Sequence, residues 1–263
     1  MSTSSHWGCN ILCVLCHLRL IELGTRHHAL LPILLATFCL AIFAWMIRGV
    51  TVGGAAAGFV VTLVLSLAGG LAMFAAVVLV FVLTYIATKF RRSRKQALAI
   101  AERSAGRDAA QVFANLGAAA LMAALAQLRQ SYRYLMVASV AALAETVCDT
   151  VSSEAGKALA RNPRLIVSWQ PVSAGTDGAI SLPGTFLGIL AGALIGVQTV
   201  ATHILTPQFA LIAVCAGIIG MLVDSFLGAT LERRGWLTNN AVNLASTTCS
   251  AVLAAMATSF VMA

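Results

Sequence analysis

The run "YLMVASVAALAETVCDTVSSEAGK", Tyr134–Lys157, decides what kind of chain this is. Its first eleven residues are apolar or small, and they lead directly into Glu145, Asp149 and Glu154. The surrounding sequence sets the class. Only 10% of the 263 residues are charged and 60% are hydrophobic, and the mean hydropathy is +0.91. Ordinary soluble domains carry about 25% charged residues. Apolar windows of 18 or more residues with almost no charge recur along the chain, the pattern of membrane-spanning helices. The two-residue alternation of barrel strands is missing. The expected fold is an all-α polytopic membrane protein with about seven to eight transmembrane helices.

Working outward from Tyr134, eight spans are expected. They lie at about Ala29–Met46, Val50–Leu67, Gly70–Thr88, Ala109–Ala126, Arg133–Cys148 continuing to Gly156, Gly184–His203, Phe209–Leu227 and Asn240–Val261. The second and third are joined by "AGG", Ala68–Gly70, a tight turn suited to an antiparallel pair. Small residues in "GGAAAG", "GILAGALIG" and "AGIIG" let helix backbones approach closely. Residues 29–263 thus form one transmembrane domain. Residues 1–28 read as an interfacial leader of uncertain order, without the small-residue cleavage site of a signal peptide. "CVLCH", Cys13–His17, fits the haem-attachment spacing, and Cys9, Cys13, Cys16 and His17 supply four zinc-type ligands. The rest of the chain offers no redox context, so the leader reading is preferred. Of the seven cysteines, Cys39, Cys148, Cys215 and Cys249 fall in apolar windows and read as small buried residues.

The net charge of +8 marks loops beside anionic lipid rather than nucleic-acid binding. Thirteen of the seventeen Lys and Arg fall on one side of an eight-span alternation. They are Arg48, the cluster from Lys89 to Arg107, then Lys157, Arg161, Arg164, Arg233 and Arg234. The positive-inside rule makes that side cytoplasmic and places both termini opposite. The oxygen-bearing side chains sort to the same side. Asp108 opens span four, Asp149 and Glu154 close span five, and Asp177 lies in the next loop. Asp224 and Glu232 end span seven, and Asn239, Asn240 and Asn243 begin span eight.

Carboxylates at membrane depth cost about 2.5–3.5 kcal/mol each on insertion scales and are normally paired or functional. Glu145 and Asp149 are i,i+4 neighbours with Ser152 and Ser153 near their face. For Glu145 the expected role is pairing with a basic residue or snorkelling. "DTVSSE", Asp149–Glu154, has more hard oxygen than one ion pair needs, and a Mg²⁺ ion completed by substrate phosphates and water accounts for it. The loop "PVSAGTDGAISLPGT", Pro171–Thr185, has glycines at 175, 178 and 184. Their amides, with Ser173, Thr176, Ser181 and Thr185, suit anionic oxygens, although many such loops are only turns. No Walker P-loop is present. Arg107 and Asp108 sit at a helix entrance with Gln111 and Asn115 inside it. Asp108 also reads as an N-cap, and the two amides as interhelical hydrogen-bonding groups.

"GRDAAQVFAN", "DTVSSEAG", "GTDGAISLPGT", "DSFLGATLE" and "NNAVN" occur in this order. On these pieces the chain resembles the integral membrane family that includes plant phytyl-phosphate kinase and the animal transmembrane protein nineteen. Val151 departs from the aromatic residue frequent there. The resemblance implies Mg²⁺-assisted phosphoryl transfer from a nucleoside triphosphate, characteristically CTP, to a prenyl monophosphate. On that reading Asp149, Glu154, Asp108 and Asp224 are catalytic, and Asp149, Glu154, Asp177 and Asp224 hold the metal. Arg107 and the Gly175–Gly184 loop neutralise phosphate. Asn240 and Asn243 bind phosphate or ribose, and Gln111, Asn115 and Ser153 line the site. Expected partners are CTP, a prenyl phosphate lipid, membrane lipids and a second copy of the chain, but no nucleic acid. A bacterial inner membrane or an organelle membrane is the expected location, with the site facing the cytoplasm. The alternatives are a polyprenol kinase, a cytidylyltransferase, or a transporter or flippase of lipid-linked phosphate. The last predicts acids at the bilayer midplane and an inverted repeat, neither of which is evident.

Overall fold

A computed structural model describes residues 30–101, 105–128 and 132–262. The cysteine-rich leader, with Cys9, Cys13, Cys16 and His17, lies outside the described residues, as do Arg103 and Arg129. The described chain is helical apart from its connections. The helices are α1 (Leu30–Met46), α2 (Val52–Lys89), α3 (Arg92–Ala97), α4 (Ala109–Leu128), α5 (Tyr132–Leu159), α6 (Leu182–Ala201), α7 (Pro207–Leu227) and α8 (Asn239–Met262). Six of these are long and apolar enough to cross a membrane, and α1 is a shorter apolar helix.

The length of α2, 38 residues, hides a reversal. Gly69 and Gly70 leave helical geometry, and Gly70 takes φ 64°, ψ −154°, a region essentially restricted to glycine. The chain comes back: the Tyr85 hydroxyl donates to Ile47 O at 3.2 Å, beside the start of the first arm. The expected Gly turn between antiparallel helices is therefore present, and with α2 counted as two arms the described residues contain eight apolar helical segments.

The acid-bearing helix α5 is the axis of the molecule. From Met136 to Cys148 no residue is more than 1% exposed. A helix apolar all round belongs in the middle of a bundle, and α5 packs against α2, α4, α6, α7 and α8. Small residues make that possible. A Cβ added at Gly188 of α6 would lie 2.6 Å from Cys148 O, so the two backbones meet nearly in contact. Outward faces of the other helices carry Phe38, Leu71, Phe186, Leu211 and Phe260 in exposed positions, as lipid contact requires. Of the four cysteines expected to be buried, only Cys148 is; Cys39 and Cys215 are exposed and Cys249 is intermediate. Their helices turn those faces outward, where lipid replaces protein as the apolar surroundings.

Hydrogen bonds fix which loops share an end. Thr51 N donates to Arg107 O and Arg107 N to Gly49 O, Lys95 pairs with Glu154, and Gly178 is pressed against Ala229. The loops after α1, α2, α5 and α7 thus meet at one end, the basic end. At the other, the Gln127 and Gln198 amides donate to Ala68 O and Ala72 O, both at 2.9 Å.

Candidate functional site

A cleft of about 1060 Å³, its mouth included, opens at the basic end. Its walls come from the start of α4, the last turns of α5, the loop before α6, the end of α7 and the start of α8. Two local devices shape it. The loop before α6 is held by a two-residue antiparallel hairpin, Arg164–Leu165 with Ala179–Ile180. Gly178 at its base takes φ 73°, and a Cβ there would sit 2.3 Å from Ala229 N. Packed against that loop, the end of α7 widens into a π turn, Gly228–Glu232, a distortion common at functional sites, and Glu232 lines the cleft.

Three acids cluster where α5 and α7 meet, Asp149 and Asp224 lining the cleft and Glu145 buried behind them. The carboxyl groups of Asp149 and Asp224 are in hydrogen-bonding contact. The Ser246 hydroxyl donates to Asp224 Oδ2 at 3.1 Å and also contacts Glu145. Glu145 neither reaches a basic partner nor snorkels. It is 1% exposed beneath the pair, and its Oε1 has no hydrogen-bond partner. At the rim, Asp177 and Glu232 lie close enough to repel, and Asn239 hydrogen-bonds Glu232.

The facing cations are Arg107 and Lys157, both acting on Asp149. Arg107 Nη2 donates to Thr150 Oγ1 at 3.3 Å. Lys157 Nζ donates to Glu154 Oε1 at 2.9 Å, and Lys95 Nζ donates to Glu154 Oε2. Both oxygens of Glu154 are thus committed to ammonium groups, which corrects its expected role as a metal ligand. About 1.4 helical turns beyond Asp149, it faces another side of α5 and meets Lys95 of α3 there.

Most expected site residues do converge. Arg107, Gln111, Asn115, Asp149, Ser153, Glu154, Gly175, Thr176, Asp177, Gly178, Ser181, Asp224 and Asn243 all line the cleft. Four do not. Asp108 closes a capping box: Gln111 N donates to Asp108 Oδ1, and Asp108 N donates to Gln111 Oε1, both at 3.0 Å. Gly184 N donates to the Ser181 side chain and Thr185 N to Ser181 O, so these amides cap α6. Gly184 also packs against Ser152 O. Asn240 gives way to Asn239, because α8 starts one residue early. Thr150, Ser152, Lys157, Ser225 and Glu232 were not among the expected site residues but line the cleft. Lys157 was hidden among the loop charges. "DTVSSE" already pointed to the hydroxyls.

The description "Integral membrane protein DUF92" matches residues 35–251, more than four fifths of the chain and every wall of the cleft. The chain belongs to the DUF92 family. Within the family it is 30% identical to Protein VTE6, chloroplastic, of Arabidopsis thaliana, over 82% of this chain and 68% of that protein. It is 33% identical to an uncharacterized membrane protein, sll0875, of a Synechocystis species, over 64% of this chain and 66% of that one. Protein PGR of Arabidopsis thaliana is 28% identical over 72% of this chain and 74% of its own length. No solved structure matches this DUF92 chain.

The cleft of this DUF92 protein suits a divalent cation in one specific way. Among the described residues no three His, Cys, Asp or Glu side chains are grouped to hold a metal alone. Two carboxyl groups in contact, above a third with an unmatched oxygen, nevertheless repel unless a proton or a cation lies between them. Mg²⁺ is commonly bound by one or two carboxylates with water and substrate phosphates filling its remaining positions. Asp149 and Asp224 match that donor set, with Asp177 at the rim.

Proposed function

We propose that this protein is a prenyl monophosphate kinase. It transfers the terminal phosphoryl group of a nucleoside triphosphate, characteristically CTP, to a prenyl monophosphate at the cytoplasmic face of its membrane. The observation that carries the reading is the Asp149–Asp224 carboxyl pair, faced by Arg107 and Lys157 in a polar cleft at the basic end. The motif resemblance to the phytyl-phosphate kinase family and membership of DUF92 support it.

The chemistry needs positioning and charge neutralisation rather than a covalent intermediate. An oxygen of the acceptor phosphate forms the new bond to the terminal phosphorus, and the bond from that phosphorus to the bridging oxygen breaks. A nucleoside diphosphate leaves with the electron pair. The acceptor is already ionised, so no general base is required. Arg107, steadied by Thr150, neutralises phosphate oxygens. Lys157, oriented by Glu154, does so as well. Asn239 and Asn243 present amides to nucleotide or phosphate, and the loop of Gly175 and Gly178 closes the upper wall. Asp149 and Asp224 would hold Mg²⁺, which would supply further neutralisation of phosphate charge.

Purified protein given Mg²⁺, CTP and a panel of prenyl monophosphates is expected to release CDP and form the diphosphate. Asp149→Asn and Asp224→Asn should each lower kcat by at least about a hundredfold. Release of pyrophosphate instead of CDP would make it a nucleotidyltransferase, and full activity in both variants would remove the carboxyl pair from the mechanism.

A further inference from the structure

The basic end has a second recess, and it is apolar. About 1000 Å³, its open mouth included, lies between α1, both arms of α2 and α4, walled by such residues as Leu40, Ala44, Val77, Val80 and Leu116. Along the second arm it runs from Lys89 down to Val77, roughly 18 Å at 1.5 Å per residue. Its polar mouth carries Arg48, Lys89, Arg92 and Arg107, and none of the described residues lining the groove is acidic. Arg48 and Arg92 are both near enough to act on the Lys89 ammonium, which also lies 5.2 Å from the centroid of the Tyr85 ring. Cations brought together in this way form a field suited to an anion.

Two residues connect this groove with the polar cleft. Arg107 and Asn115 line both recesses and therefore form the partition between them. One face of Arg107 is directed to Thr150 and Asp149, and it also belongs to the basic mouth. At Gly58, on the groove wall, an added Cβ would meet nothing within 4 Å. The groove has room there for a ligand.

We propose that this groove seats the lipid acceptor. The single isoprenoid tail of a phosphate monoester lies between α1, the arms of α2 and α4. Its phosphate rests against Arg48, Lys89 and Arg92, with Arg107 passing it into the polar cleft. The inference rests on the prenyl-phosphate kinase reading and adds the site of its second substrate. Within a bilayer, moving a tail from lipid to protein gains packing but little hydrophobic free energy, so the cationic mouth must supply most of the selectivity.

The test uses the full chain in nanodiscs and a prenyl monophosphate with a photoactivatable diazirine at the tail end. No nucleotide is added, so labelling does not depend on turnover. Crosslinks are expected on α1 and on both arms of α2, around Thr37–Ala44 and Val77–Phe81. Unlabelled prenyl monophosphate should compete at least tenfold better than prenyl alcohol or diacyl phosphatidate. Gly58→Phe, which fills the groove, should cut labelling at least tenfold. Gly117→Phe, at another position open to an added Cβ but outside the groove walls, should not. Should Gly58→Phe fail to fold, Arg48→Gln with Lys89→Gln is expected to give a comparable loss. Labelling of the outer faces of α6–α8, or labelling unchanged by these variants, overturns the proposal, as does equal competition by phosphatidate. Groove labelling in a protein that makes no diphosphate would retain the groove and reject the kinase reading.

Discussion

Lys95 shows how much one side chain can be asked to do. It is fully buried, and its ammonium donates to Ala87 O at 3.1 Å, to Thr88 O at 2.7 Å and to Glu154. All three donors of the group are used. It ties the end of α2 and the short α3 to the acid-bearing end of α5, and so helps define one side of the cleft. Removing one partner of a buried ion pair typically costs about 3–5 kcal/mol when the other charge is left uncompensated; Lys157 still holds Glu154 Oε1, so the low end of that range applies. Lys95→Met is accordingly expected to destabilise the protein by that order, read as a lowered unfolding temperature in detergent. Lys157→Met, whose side chain is 25% exposed, should cost about 1 kcal/mol or less. The double variant Lys95→Met with Glu154→Met should recover much of the loss. If Lys95→Met proves as mild as Lys157→Met, the buried pair is not holding α3 in place.

At the scale of the element, α5 and the reversal in α2 set the architecture. Helix α5 can be the axis because its own residues are small and its neighbours meet it through glycines such as Gly188. The α2 reversal depends on Gly70, whose φ of 64° with ψ of −154° strains any side-chain-bearing residue by about 1–3 kcal/mol. Gly70→Ala should lower stability by that amount even though an added Cβ meets nothing within 4 Å. The comparison that isolates backbone strain is Gly58→Ala, in ordinary helical geometry and equally open space. That substitution should be close to neutral or slightly stabilising. Equal thermal shifts for the two would show that the turn geometry is not the origin of the effect.

For the whole molecule, the decisive property is polarity from end to end. Arg48 and Arg234, both exposed, lie in loops at the basic end, and exposed His203 follows α6 at the other. Single cysteines at Arg48 and Arg234 should react with a membrane-impermeant thiol reagent from the cytoplasmic side, and one at His203 only from the opposite side. The test is made in sealed vesicles, with the native cysteines replaced. Labelling of positions 48 and 234 from different sides would break the shared-end topology on which both recesses depend.

Hydropathy and charge alone determined that this chain is a helical membrane protein, which loops share an end, and which oxygen-bearing segments gather there. Those properties follow from the cost of placing charge in hydrocarbon, and that cost acts on each segment separately. The side-chain assignments within that end were decided by tertiary structure. "GRD" reads equally well as a cap or a ligand, and only the reciprocal Asp108–Gln111 bonds settle it. Lys95 and Glu154 are 59 residues apart, so no local spacing relates them. The apolar groove has no signature in the sequence, because its walls come from ordinary apolar helix faces. It exists only because α1, the two arms of α2 and α4 leave space where they meet, and empty volume is a property of packing between segments.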